Sequence, residues 1–255
     1  MIEAQNLLLH RGGRPVLRDL SFSLRAGERT AIVGPNGSGK SSLLMALSGL
    51  LKPTAGTIRL EGRDIARLAR RQVAKTLAFL PQAATAPEAI LLRDLVGHGR
   101  FAHRMIWSAQ TPADGAAIEN AMAQTGVTAL TDRRFDTLSG GERQLGWLAM
   151  VLAQQPRVLL LDEPTTFLDL GHQGRVMSVL CDLPGDAVPC LVAVLHDLNH
   201  ALSLADRVIV LSEGTIVADG PPADTLLPDL VARVFGARIA ALSHERRTHI
   251  VPLWM

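Results

Sequence analysis

The chain of 255 residues lacks a strong excess of charge, a cysteine motif and a long hydrophobic run. Its 26 Lys and Arg against 24 Asp and Glu leave a net charge of +2, too small a bias to indicate nucleic-acid binding. Cys181 and Cys190 have no C-x-x-C or metal-ligand spacing, which predicts free thiols in a reducing compartment. No uninterrupted apolar run approaches the length of about 18 residues that a membrane span needs, so a membrane role is expected to come through a partner.

The hydrophobic residues, 47% of the chain, predict a single large core. Short apolar runs at 30–33, 158–161, 191–195 and 208–211 alternate with helical patterns, which predicts an α/β fold with a mostly parallel, buried sheet. Residues 2–9 and 16–24 predict an antiparallel β layer ahead of that sheet.

Residues 83–157 contain helical patterns at 116–125 and 142–154 but no convincing strand. We therefore expect an inserted helical subdomain there, between core segments 1–82 and 158–255. Two apolar runs around a polar turn at 243–247 predict a C-terminal hairpin within 237–255.

Residues 34–41 fit the phosphate-binding pattern G-x-x-x-x-G-K-[ST], between the β-prone run 30–33 and a helical pattern over 42–50. The glycines let backbone N–H groups turn toward a polyanion, and the start of the helix adds donors and the positive end of its dipole. Lys40 is predicted to reach the β- and γ-phosphates of a nucleotide, and the Ser41 hydroxyl to ligate Mg²⁺. The predicted nucleotide-binding residues are Gly34, Pro35, Asn36, Gly37, Ser38, Gly39, Lys40, Ser41 and Ser42.

Asp162 and Glu163 follow the apolar run 158–161, which predicts that both carboxylates lie at the carboxyl end of a buried strand, where open α/β sheets bind ligands. Asp162 is predicted to hold Mg²⁺, directly or through water, and Glu163 to act as general base toward an attacking water. Taken alone, an Asp-Glu pair fits a helix N-cap and a first-turn acid equally well. The upstream phosphate loop favours the functional interpretation.

A further set of motifs resembles the ABC (ATP-binding cassette) ATPases. The string Leu138-Ser139-Gly140-Gly141-Glu142-Arg143-Gln144 resembles the signature sequence of that family. Gln82 resembles its Q-loop residue, Asp169 its D-loop carboxylate and His196 its switch histidine, all in family order. The resemblance implies a P-loop NTPase (RecA-like) core with an N-terminal antiparallel β layer and an inserted α-helical subdomain. It also implies hydrolysis of ATP with Mg²⁺.

In the family that these motifs resemble, two subunits pack head to tail. The resemblance implies that the turn 139–141 of one subunit caps the γ-phosphate bound by the phosphate loop of the other. Gln82 is then expected to contact Mg²⁺ or the attacking water, His196 to hydrogen-bond the γ-phosphate, and Asp169 to act across the interface. For His196 alone, a strand-end histidine satisfied by the backbone would be the simpler interpretation.

The chain contains no tyrosine, whereas the family usually places an aromatic residue against the adenine in the first β layer. Arg11 matches that position. Its guanidinium either stacks on the base or is a solvated turn residue, and the sequence leaves both open. Phe167 in the D-loop and Leu145 after the signature are smaller departures.

Strings at 98–103, 164–173 and 195–200 resemble ATPase subunits of bacterial importers for ferric siderophores, haem and cobalamin. This implies a homodimer, peripheral on the cytoplasmic face of the inner (plasma) membrane, beneath two copies of a permease. A periplasmic or lipid-anchored binding protein would supply the cargo, and no nucleic acid would be a partner. Gln82 and residues 83–104 are expected to receive a permease helix. The alternatives are a soluble ABC ATPase that acts as a scaffold or clamp without a permease, and an ATPase of an exporter or of an importer for another solute.

Overall fold

The computed structural model describes residues 1–104, 109–244 and 247–253. The chain forms two compact units, one of Met1–Arg67 with Cys190–Met255 and one of Leu68–Pro189. Within the described residues, no helix has the length and apolar character needed to cross a bilayer. The subdomain boundaries expected from the sequence stay predictions.

An antiparallel sheet opens the first unit and corresponds to the predicted β layer. Its strands lie side by side in the order Arg14–Leu24 (β2), Ile2–Arg11 (β1), Ala55–Leu60 (β4) and Arg63–Asp64 (β5). Ile2 pairs with Leu24 and Leu9 with Leu17, and these four side chains are buried. The register therefore places the large apolar residues of both strands in the core.

Parallel strands form the second sheet segment of this unit. They are Glu28–Val33 (β3), Cys190–Val194 (β8) and Arg207–Ser212 (β9), with Thr215–Gly220 (β10) antiparallel to β9. Strand β3 lies between β8 and β9, so that Ala31 pairs with Ala193 on one side and Val208 on the other. Residues 30–33, 190–194 and 208–211 are all buried, which confirms the predicted buried strands.

The helix after the phosphate loop is shorter than its apolar pattern predicts. It spans Lys40–Leu47 (α1) instead of reaching Leu50. Gly49 adopts a left-handed φ of +74°, and the N–H of Leu50 bonds the carbonyl of Met45, an arrangement that ends helices. Leu50 is therefore exposed. The later helices of the unit are Leu198–Leu204 (α7), Pro222–Thr225 (α8) and Pro228–Phe235 (α9).

The C-terminal apolar runs pair as a hairpin of Ile239–His244 (β11) and Arg247–Pro252 (β12). The predicted polar turn includes residues 245 and 246, which lie outside the described residues. Asn199 of α7 holds the second strand, because its amide donates to the carbonyl of Ile250 (3.0 Å) and accepts from the N–H of Ile250 (2.8 Å).

The second unit combines two parallel strands with helices. Strands Leu77–Leu80 (β6) and Val158–Asp162 (β7) pair so that Leu80 lies opposite Leu161. Its helices are Arg70–Thr76 (α2), Leu92–Gly97 (α3), Pro112–Gln124 (α4), Gly140–Ala153 (α5) and Leu170–Asp182 (α6). Short 3-10 turns of this unit occur at His98–Arg100, Thr128–Leu130 and Phe135–Thr137, and one at Ile65–Arg67 ends the N-terminal segment of the first unit.

Several helix boundaries differ from the apolar periodicity. Residues Ile65–Arg67 form a 3-10 turn ahead of α2, and the Gln72 side chain caps the start of α2 on the N–H of Ala69. Helices α4 and α5 begin earlier than predicted because Thr111 and Ser139 each cap the following turn. Helix α3 lies within the segment 83–104 that was expected to be helical, and it buries Leu92, Leu95 and Val96.

A buried ion pair joins the helices of the second unit. The guanidinium of Arg100 contacts the carboxylate of Asp114 at 2.9 Å, and the two side chains are 7% and 4% exposed. Arg100 also donates to the carbonyl of Ala153 at the end of α5 (2.8 Å). The hydrogen bond from Arg100, followed by those from Thr111, lowers the pKa of Asp114 to about 2.

We expect Asp114→Asn to lower the free energy of unfolding at pH 7 by roughly 3 kcal/mol, because Arg100 would be buried without its counter-charge. The pKa of Asp114 is about 2 in the folded protein, and about 3.9 is usual for an unfolded Asp. The carboxylate therefore stabilises the fold above the unfolded pKa, and this contribution is lost as the pH falls through the folded pKa. Urea unfolding of both proteins from pH 7 down to about pH 2 should show that the difference between their free energies of unfolding becomes smaller.

Asp136→Asn, at the exposed pair with Arg134, is the control and should change stability little. A difference in free energy of unfolding between wild type and Asp114→Asn that does not change with pH would contradict the stabilising role of the ionised Asp114.

Candidate nucleotide site

The phosphate loop connects β3 to α1 in the first unit, as the sequence predicts. A Cβ on Gly34 would lie 2.0 Å from the carbonyl oxygen of Leu211, and one on Gly39 would lie 2.9 Å from that of Val16. Both glycines also have positive φ, +156° and +104°. The loop backbone thus packs against neighbouring backbone where only glycine fits.

Lys40 lies at the first position of α1, with 5% of its surface exposed. Its ammonium donates to the carbonyls of Gly34 (2.9 Å) and Pro35 (3.0 Å), within its own loop. The N-cap, Gly39, provides no side-chain hydrogen bond, and the first turn of α1 contains no acidic residue. The amide donors at this helix start are therefore arranged for an external anion, which fits a nucleotide phosphate.

Gln82 and Glu163, which the sequence predicts as site residues, lie together in the second unit. Strand β6 leads to Gln82 and strand β7 to Glu163, and the two strands are paired. The Gln82 amide donates to the Glu163 carboxylate at 2.5 Å. Glu163 has a left-handed φ of +54°, uncommon for this residue type. Asp162, at the end of β7, is buried.

Thr166, to which the sequence assigned no role, also contacts Glu163. Its hydroxyl donates to the Glu163 carboxylate (3.1 Å), and its N–H donates to the Glu163 carbonyl (3.2 Å). The sequence signal that could have indicated this contact is the position of Thr166, three residues after Glu163. Thr166 and Gln82 together fix the orientation of the carboxylate.

The strand that leads to Gln82 is tied to the end of α5. The Gln154 amide donates to the carbonyls of Ala74 and Leu77 (2.5 and 2.7 Å), and the Gln154 carbonyl lies 2.9 Å from Nε2 of His103. Helix α5 therefore carries Ser139 at one end and anchors β6 at the other.

The signature turn forms the N-terminus of α5. The Ser139 hydroxyl accepts from the N–H of Glu142 (3.3 Å), and the N–H of Ser139 donates to the Glu142 carboxylate (2.8 Å). This capping box lowers the pKa of Glu142, chiefly through the backbone hydrogen bond from Ser139. Ser139 and Gly140 are exposed, whereas Gly141 is buried.

Asp169 caps α6, because its carboxylate accepts from the N–H of His172 at 2.8 Å. That hydrogen bond is the main reason why the pKa of Asp169 is lowered. Two large apolar side chains flank it, Phe167 at 93% exposure and Leu170 at 86%. Phe167 also has a left-handed φ of +63°.

The remaining predicted residues lie in the first unit. His196 follows β8 and is exposed, and the next residue, Asp197, caps α7 through the N–H of Asn199 (2.7 Å). Arg11 is exposed at the β1–β2 turn, so both interpretations of its side chain stay open. The predicted site residues are thus divided between the units: the phosphate loop, Arg11 and His196 in the first, and the others in the second.

Comparisons with known proteins identify the family of the chain. The family model described as ABC transporter matches residues 17–166. The chain is 42% identical over 237 residues to the ferric enterobactin transport ATP-binding protein FepC of Escherichia coli K12, covering 93% of the chain and 88% of that protein. It is 44% identical over 246 residues to the hemin import ATP-binding protein HmuV of Rhodococcus jostii RHA1, covering 95% and 82%.

Among solved structures, the fold matches a transporter described as of the metal-chelate ABC type, in an inward-facing conformation. The TM-score is 0.84 at 28% identity, covering 99% of this chain and 97% of that one. The chain belongs to the ABC transporter family, and it is an ATP-binding ATPase with a P-loop NTPase fold. The fold class and the family expected from the sequence are confirmed.

We expect Gly34→Ala to weaken ATP binding by at least about tenfold, because the new methyl group would displace the loop from Leu211. Gly37→Ala should have a smaller effect, since its Cβ would meet nothing within 4 Å and only its positive φ is unfavourable. Gly174→Ala in α6, with open space and no positive φ, is the control. Titration with ATP and thermal unfolding of all three test this order. Equal ATP affinities at positions 34 and 174 would contradict it.

Proposed function

We propose that this ATPase drives a bacterial importer for an iron chelate (siderophore), haem or cobalamin, through a partner permease. The support for the cargo class is the naming of the relatives: ferric enterobactin for FepC, hemin for HmuV, and cobalamin for BtuD of Halobacterium salinarum, 39% identical over 239 residues. The observation that carries the chemistry is the Glu163 carboxylate held by Gln82 at the end of paired strands.

The phosphate loop holds the nucleotide in this proposal. Backbone amides at the start of α1 bind the phosphates, and Lys40 exchanges the carbonyls of its own loop for phosphate oxygens. Ser41, Asp162 and Gln82 offer hydroxyl, carboxylate and amide oxygens, the hard donors that suit Mg²⁺ together with phosphate oxygens. An Mg²⁺ ion held by these residues would supply charge neutralisation for the phosphates.

Glu163 accepts a proton from the attacking water as general base. Thr166 and Gln82 hold its carboxylate in place before the nucleotide arrives. Gln82 donates through its amide nitrogen, so its carbonyl oxygen is the atom able to face the cation. His196 donates to the γ-phosphate.

Hydrolysis requires a head-to-tail homodimer in this proposal. Helix α5 begins with exposed Ser139 and Gly140, which suits contact with a phosphate held by a second subunit. The exposed side chains Phe167 and Leu170 beside Asp169 are apolar surface that a second copy would cover.

The permease binds at a groove in the second unit. The space, about 900 Å³, is lined by apolar groups that include Phe101, Ile118 and Met122, with Arg93 and Glu119 among its charged residues. It overlaps the segment 83–104 expected from the sequence, and an amphipathic permease helix would match apolar anchors inside a charged rim. The subunit would then be peripheral on the cytoplasmic face of the inner membrane, and a periplasmic or lipid-anchored binding protein would deliver the cargo.

The competing function is a soluble ABC ATPase that works as a scaffold or clamp without a permease. The first test measures ATP turnover by the protein alone and with its candidate permease in lipid, beside Glu163→Gln. We expect the permease to stimulate turnover, and Glu163→Gln to lose about 10²- to 10⁴-fold in rate while ATP binding is retained. Normal turnover by Glu163→Gln would remove the base assignment, and indifference to every permease tried would favour the scaffold.

We further expect Phe101→Glu to uncouple transport from ATP binding, because it places a charge among the apolar groups of the groove. Permease-stimulated turnover and uptake in vesicles should fall, while ATP affinity stays that of the wild type. Leu242→Glu in β11 is the matched control, since the two side chains are 54% (Leu242) and 60% (Phe101) exposed. Equal transport by both variants would contradict the docking site.

A further inference from the structure

His172 contacts both Asp169 and the signature turn 139–141, which the sequence analysis describes as separate motifs. It lies in the first turn of α6, three residues after Asp169, and its side chain is 25% exposed. Its Nδ1 lies 2.9 Å and 3.0 Å from the two carboxylate oxygens of Asp169. An ionised carboxylate only accepts hydrogen bonds, so Nδ1 carries the proton and donates.

The other side of the His172 ring covers the signature turn. A Cβ on Gly141 would lie 1.7 Å from Cδ2, 2.1 Å from Cγ and 2.6 Å from Nε2 of His172. Gly141 has no positive φ, so its backbone conformation does not require glycine. The ring occupies the space that a side chain at position 141 would need.

The contact between His172 and Asp169 does not compensate for a buried charge. The Asp169 side chain is 70% exposed, and an exposed ion pair adds little to stability. What the imidazole does fix is geometry, because one rigid ring touches the carboxylate with one edge and the α5 backbone with the other. Asp169 and the turn 139–141 are also the groups that act on the second subunit in the proposed dimer.

We propose that His172 is a positioning residue that holds the signature turn and the Asp169 carboxylate as one rigid element, preorganised for the nucleotide of the partner subunit. This inference rests on the proposed head-to-tail dimer. Preorganisation reduces the ordering cost of association, so its loss appears as weaker ATP-dependent dimerisation. ATP binding by the phosphate loop of a single subunit should not change.

The test uses Glu163→Gln as background, in which ATP is bound without turnover, and follows dimer formation by light scattering during an ATP titration. Adding His172→Ala should raise the ATP concentration for half-maximal dimer by about tenfold. His172→Asn keeps a donor at the place of Nδ1 but loses the ring, and His172→Phe keeps the ring but loses the donor. For each of these two variants, the ATP concentration for half-maximal dimer should lie between that of the Glu163→Gln parent and that of His172→Ala. Arg175→Ala, an exposed residue of the same helix, is the control.

A second measurement checks the contact inside one subunit. Gly141→Ala should lower the thermal unfolding temperature, and adding His172→Ala should recover part of the loss, because the space for the methyl group is then open. No recovery would overturn the proposed steric contact.

The outcomes separate this inference from the function on which it rests. Dimerisation of the His172→Ala variant at the ATP concentration of its parent would overturn the inference and leave the dimer intact. An equal loss of single-subunit ATP affinity and of unfolding temperature would show a general structural defect, which also overturns it. If Glu163→Gln itself forms no dimer with ATP, the proposed head-to-tail dimer fails, and the positioning role fails with it.

Discussion

The structure depends on a loop backbone that leads into the start of a helix, where amide groups can meet an anion, while it packs tightly against its neighbours. Gly34 faces the Leu211 carbonyl so closely that no side chain fits, and Gly39 leaves α1 without a side-chain cap. The first turn of α1 contains no acidic residue, and the ammonium of Lys40 bonds the carbonyls of Gly34 and Pro35 in the same loop. The strands on both sides of β3 hold this arrangement in place, since the loop follows directly from the buried residues 30–33.

The N-termini of α1 and α5 differ in how their backbone amides are capped. Helix α1 has no side-chain cap and no acidic residue in its first turn, whereas α5 is capped by its own Ser139 and Glu142 and covered at Gly141 by His172. The start of α1 suits the binding of several phosphate groups of one nucleotide. The start of α5 is already ordered before any ligand arrives, which suits a surface that meets a nucleotide held by another molecule.

Helix α5 also links distant parts of the second unit. Its N-terminus forms the signature turn, and Gln154 at its C-terminal end donates to the carbonyls of Ala74 in α2 and of Leu77 at the start of the strand that leads to Gln82. Arg100, beside the groove assigned to the permease, bonds the carbonyl of Ala153 at the same end. Helix α5 with these attachments is the physical connection between Arg100, the strand that leads to Gln82, and the signature turn.

The sequence alone determined the phosphate loop, the buried strands and the family motifs, because glycine positions, apolar runs and spacing are local signals. It also placed Glu163 at a strand end, where its function is expected. It did not determine the end of α1, which Gly49 decides through its left-handed conformation, or the starts of α4 and α5, which depend on caps. Only the tertiary structure decided that Gln82 meets Glu163 across 81 residues and that His172 covers Gly141. Such contacts arise from strand pairing and helix packing, which bring together residues that no local pattern relates.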